Sequence, residues 1–240
     1  MTQEQDQQQE EPYRRGMVVV AHPDDAEFGC SGTVSKWIKE GMEFVYVLVT
    51  DGSKGTSDRT VPSETLVEIR KQEQIDAGKV LGLKDVVFLG YPDGYLQPTL
   101  EVRRDIAREI RRHRPDILIT TNPTRTLTGA GYIGHPDHFA AGEAALSAVY
   151  PTARDYLTFP ELLDEGLEPH KVREVMIMGH DQPDKWVDVT ETVEITVQSL
   201  LAHSSQIGAE VADRVKEWRR EAGKDHGMEY AEAFKHFILR

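Results

Sequence analysis

The sequence predicts an α/β protein with a Rossmann-like, doubly wound, mostly parallel sheet and helices on both faces. Three observations point there. Short apolar runs rich in β-branched residues alternate with amphipathic segments through the first 150 residues. The segments between runs are long enough for the crossover helices that parallel pairing requires. No internal repeat or interdomain linker interrupts the pattern, so residues 15–240 read as a single domain behind a Gln/Glu-rich disordered tail, 1–14.

Residues 17–21 (Met-Val-Val-Val-Ala) form a continuous apolar run, the signature of a strand buried on both faces. A helix is expected over 26–40, stopped by Gly41. Residues 42–50 read as a second strand, 66–81 as a second helix ending at Gly82, and 86–89 as a third strand. Val102, Ile106 and Ile110 recur every four residues in an amphipathic helix over 102–113, which Pro115 stops. A fourth strand spans 117–121, and after a Gly/Thr/Pro-rich loop a helix follows over 136–149. Beyond Tyr150 the pattern loosens to a fifth strand at 174–178 and helices over 189–203 and 209–223.

At 240 residues and 39% hydrophobic content, the chain can bury one full core. A net charge of -13 argues against nucleic acid or an anionic membrane surface as partner. The single cysteine, Cys30, allows no internal disulfide and fits a reducing compartment. No apolar run reaches the length of a transmembrane helix, and the N-terminus lacks the apolar core of a signal peptide. A cytoplasmic protein acting on a small molecule fits these features, with assembly into a homo-oligomer left open.

In an open parallel sheet, ligands bind beyond the carboxyl ends of the strands. Directly after the first strand, where a nucleotide-binding protein would carry a glycine-rich turn, stand His22, Pro23, Asp24 and Asp25. Neutral imidazole with hard carboxylate oxygen is a ligand mixture suited to zinc or ferrous iron. A catalytic site needs a third ligand, and the other tight cluster, His135-Pro136-Asp137-His138, follows the fourth strand at an expected helix start. Either string alone could be an ordinary turn, with proline fixing φ and aspartate capping the helix. Both together, each at a strand-to-helix junction, point to one shared metal site.

The segment Ala-His-Pro-Asp-Asp-Ala-Glu-Phe-Gly-Cys-Ser-Gly-Thr at 21–33 and the His-Pro-Asp-His string resemble the PIG-L/LmbE-like family of metal-dependent N-deacetylases. Leu-Gly-Tyr-Pro-Asp-Gly at 89–94 and Pro-Asp-Lys-Trp-Val-Asp-Val-Thr at 183–190 add to the resemblance, which covers about 15–206. It implies an LmbE-like fold and a hydrolase that uses a metal-activated water to remove an N-acetyl or other acyl group from an amino sugar or its conjugate. It further implies zinc, or Fe2+ or another divalent ion, on His22, Asp25 and His138. Asp24 would be the general base, His135 the group that steadies or protonates the tetrahedral intermediate, and Asp137 the carboxylate that orients His135. Arg70 and Asp93 would bind the sugar. Competing readings are a hydrolase of another amide or ester on a small-molecule or antibiotic conjugate, and a catalytically silent metal- or sugar-binding module. The latter has no use for Asp24 beside the ligands.

Other residues have ordinary readings. Arg70 and Glu73 share the buried stripe of the second helix with Leu66, Ala77 and Leu81, as a structural ion pair would. Asp93 and Asp51 are turn formers, and Cys30 is a small core residue. The arginines at 103, 104, 108, 111, 112 and 114, interleaved with Asp105 and Glu109, read as a solvated face. His180, His203, His226 and His236 are scattered singly. The loops 52–63 and 122–134 leave the same sheet rim and are expected to shape substrate access.

Overall fold

A computed structural model describes residues 11–125, 127 and 133–239. Residues 1–10 of the expected tail, and 126 and 128–132 of the second rim loop, lie outside the described residues. The chain takes its place earlier than residue 15. Arg173 sits over the Tyr13 ring, Tyr13 packs against the core, and the Arg14 amide donates to Asp116.

The apolar runs form the centre of a seven-stranded sheet in the order β3-β2-β1-β4-β5-β7-β6. β1 (Arg15–Val20) pairs in parallel with β2 (Glu43–Thr50) and with β4 (Ile117–Thr121). β2 carries β3 (Asp85–Tyr91) in parallel, and β4 carries β5 (Glu174–Met178). The sheet order reverses between β1 and β4, so the crevice at their carboxyl ends is the expected binding position. Beyond β5, the antiparallel β7 (Ala231–Ile238) and the edge strand β6 (Lys185–Asp188) complete the sheet, and the sequence analysis foresaw neither.

Helices cover both faces and enclose two large apolar clusters. The first helix is not continuous: α1 (Asp25–Gly29) and α2 (Ser31–Lys39) meet at the buried Cys30, whose φ of -152° breaks the spiral. The break has a partner, because the Glu232 carboxylate on β7 accepts from the Gly32 and Thr33 amides and caps α2. α3 (Ser63–Leu81) buries Leu66, Arg70, Glu73, Ala77 and Leu81 as its spacing requires. In α4 (Leu100–His113) one arginine departs from the expected solvated face. Arg111 is 2% exposed and donates to the carbonyls of Thr152, Ala153, Asp155 and Thr158, tying α4 to the irregular segment after α5 (Pro136–Ser147). α7 (Val193–Leu201) lies against α3, and α8 (Val211–Gly223) packs on β7; the short α6 (Glu161–Asp164) lies between α5 and β5. Among the described residues no helix is long and apolar enough to cross a membrane.

Candidate metal centre

The two His-Pro-Asp strings meet at the switch point between β1 and β4. The chain leaving β1 is pinned where the Thr50 amide and hydroxyl both donate to the Ala21 carbonyl at 2.8 Å. Across the crevice, the Thr121 hydroxyl donates to the His138 carbonyl at 2.7 Å. Gly142, one turn beyond His138, lets α5 come this close: a β-carbon there would lie 2.3 Å from the Thr121 carbonyl oxygen.

His22, Asp25 and His138 converge. His22 Nδ1 lies 3.2 Å from His138 Nε2 and 3.5 Å from an Asp25 oxygen, and the other Asp25 oxygen is 3.0 Å from His138 Nε2. Zinc ligands at about 2.0–2.1 Å in a tetrahedron stand roughly 3.3 Å apart, so the three donors fit one small cation. The far side of the His22 ring is braced, with Nε2 3.0 Å from Asp93 and 3.3 Å from Asp137. Carboxylates behind a ligating imidazole fix its tautomer and orientation.

The charges agree with this arrangement. Burial disfavours a charged His22, yet the hydrogen bonds it donates to Asp137, Asp25 and Asp93 outweigh this and raise its pKa to about 12. So strong a demand for positive charge is one that a divalent cation on Nδ1 would meet. Burial also opposes a charged Asp25, but His138 and His22 beside it hold the carboxyl well below the usual range. Asp93, buried but bonded to His22 and to the Lys54 amide, is held at about 2.

Asp24 differs from its neighbour. Its φ of 90° puts a non-glycine residue in the left-handed region, and its side chain makes no cap bond to α1. Burial, followed by the adjacent Asp25 charge, pushes the carboxyl up to about 7, against the pull of Arg70. His135 is the N-cap of α5, and its Nδ1 accepts the Asp137 amide at 3.2 Å. That bond fixes the neutral tautomer with its proton on Nε2. Burial and the charge of His22 lower the His135 pKa, so the neutral form is favoured.

Three of the expected residues make contacts that the sequence did not foresee. The Asp137 carboxylate does not reach His135 as foreseen: its hydrogen bonds come from the Gly94 and Leu96 amides and from His22, and Asp137 holds His135 through its backbone. Arg70 and Asp93, expected at the sugar, are each 4% exposed and engaged inside the site. Arg70 donates to the carbonyls of Gly52 and Pro23 and to Asp24. Nor does Arg70 pair with Glu73, which accepts from Ser204 and Ser205 instead. Asp51 is the turn residue expected, accepting from the Ser53 and Asp93 amides. His203 is the residue that the sequence reading missed. It is fully buried, 3.5 Å from Glu27 on α1, and an isolated histidine carries no pattern to reveal that.

A doubly wound sheet with a His/Asp metal-binding cluster at its switch point, flanked by a carboxylate held near neutrality, is the frame of a metal-dependent hydrolase. The comparisons name the kind. The family model described as GlcNAc-PI de-N-acetylase (PIG-L) matches residues 17–149, and the chain belongs to that family. The chain is 31% identical to a diacetylchitobiose deacetylase of Thermococcus kodakarensis, over 92% of this chain and 82% of the relative. It is 29% identical to a probable N-acetyl-alpha-D-glucosaminyl L-malate deacetylase 2 of Bacillus anthracis, over 91% and 92%. Among solved structures, the N,N'-diacetylchitobiose deacetylase of Pyrococcus horikoshii superposes with a TM-score of 0.86 at 27% identity, covering 94% of this chain and 84% of that one.

Proposed function

We propose that the protein hydrolyses the N-acetyl group of an amino sugar or amino-sugar conjugate, with zinc held by His22, Asp25 and His138. The observation that carries this is the spacing of 3.0–3.5 Å among the donors of those three residues, with Asp24 beside them outside the triad. A bound zinc ion would acidify a water and polarise the acyl carbonyl.

The chain's own residues do the rest. Asp24, raised to about 7, is basic enough to take the proton of the attacking water near neutral pH. Its proton is then available to the departing amine nitrogen. His135 offers its Nε2 proton to the acyl oxygen as negative charge develops there, and it needs no positive charge of its own to do so. Asp93 and Asp137 act behind His22, keeping Nδ1 turned to the metal position. Arg70 holds the Pro23 carbonyl and the Asp24 carboxylate.

The test is amine release by the zinc-loaded protein across N-acetylglucosamine, its disaccharide and other conjugates, and matched esters. Turnover of the acetamido sugars supports the reading. Turnover of esters or non-sugar amides alone refutes it in favour of another small-molecule hydrolase.

A further inference from the structure

Behind the metal centre lies a second polar cluster that the reaction as described does not use. Glu27, Gln74 and His203 come from α1, α3 and the turn after α7, and each is completely shielded from solvent. Burying an acid, an amide and an imidazole together is costly unless each has a partner. Gln74 links them: its amide nitrogen donates to one Glu27 oxygen at 2.9 Å and its Oε1 accepts the Asp24 amide at 3.2 Å, while His203 Nε2 stands 3.5 Å from the other Glu27 oxygen without a hydrogen bond.

The link has a direction. Gln74 presents its NH2 end to Glu27 and its oxygen to the Asp24 amide, which can only donate. The far end is fixed, because Glu73, one residue before Gln74, accepts from the Ser204 hydroxyl and from the Ser205 amide and hydroxyl. The near end meets the one non-glycine backbone in the metal centre that needs holding, Asp24 at φ 90°. Arg70, one turn before Gln74 on α3, grips the preceding carbonyl from the same face.

We infer that Gln74, anchored on Glu27 with His203 packed behind it, is a positioning residue that holds the Asp24 backbone in its left-handed conformation, so that the carboxylate faces the reacting water instead of capping α1. The inference rests on Asp24 as the base, but it concerns residues on no ligand and at no substrate. It gives the turn at 203–205, distant in sequence from both His-Pro-Asp strings, a catalytic consequence.

Gln74→Met keeps the side-chain length and removes the acceptor, and His203→Gln weakens the far end. For both, zinc content and KM are expected to stay near wild type while kcat falls at least about tenfold, the scale of a misplaced catalytic group. A crystal structure of Gln74→Met is expected to show Asp24 out of the left-handed region with the spacing of His22, Asp25 and His138 preserved. An Asp24 that keeps its φ in Gln74→Met overturns the inference whatever happens to kcat. So does zinc lost in proportion to activity, which would make the link a general support. If the wild type deacetylates no amino sugar, the proposed function fails, while the crystallographic readout still decides this inference.

Discussion

The two His-Pro-Asp junctions look alike in sequence and are built in opposite ways. At 135–138 the helix start is largely self-made. His135 sits at φ -79°, ψ 133°, caps the helix with its own ring, and is followed by a proline at the first helical position. At 22–25 the backbone is forced through a left-handed aspartate that caps nothing, and is held from outside by Arg70 and Gln74. The difference shows where the strain of the site is stored. The histidine side relies on a locally favourable cap, whereas the aspartate side holds a strained backbone that, on the proposed mechanism, aims the carboxylate at the reacting water.

Substitutions at the two junctions break or sharpen this contrast. The largest effect is expected from His138→Ala, which removes a proposed ligand; metal analysis should find the ion gone and activity with it. Asp24→Asn should retain the metal and lower kcat by about 10²–10⁴-fold, the usual contribution of a general base. Steady-state kinetics beside metal analysis separates the two, and equal metal loss in both would erase the distinction between ligand and base. Asp137→Asn should weaken metal binding by about 10–100-fold, because a carboxylate braces His22 from behind; competition with a chelator measures it. The smallest effect is expected from Pro136→Ala, at an exposed position in a helix start that is already capped. Its cost should stay below about 1 kcal/mol in thermal or denaturant unfolding.

The same contrast explains what could be read from sequence. β1, β4 and β5 are largely apolar runs, so their existence, burial and parallel setting follow from local pattern. The proposed metal triad was legible because one string stands directly after β1 and the other at the start of the helix that follows β4. β6 and β7 were not, since Lys185–Asp188 and Ala231–Ile238 mix charge into both faces and owe their pairing to each other and to β5. The break at Cys30 depends on Glu232, two hundred residues away from the amide it caps at Gly32. Arg111, Asp93 and His203 look like surface, turn and isolated residues until tertiary contacts surround them. Long-range hydrogen bonds leave no periodicity, and the support of Asp24 consists of them.

The most direct test is the anomalous map of zinc-loaded crystals collected at the zinc edge. The expected peak lies within about 2.0–2.2 Å of His22 Nδ1, an Asp25 oxygen and His138 Nε2, with Asp24 outside the coordination sphere. His22, His135 and His138 gather donor atoms within 4.8 Å of one another, as do His22, Asp93, His135 and Asp137. A peak on the Nε2 side of His22, among the latter group, would contradict the assignment of ligands and, with it, the role given to Asp24.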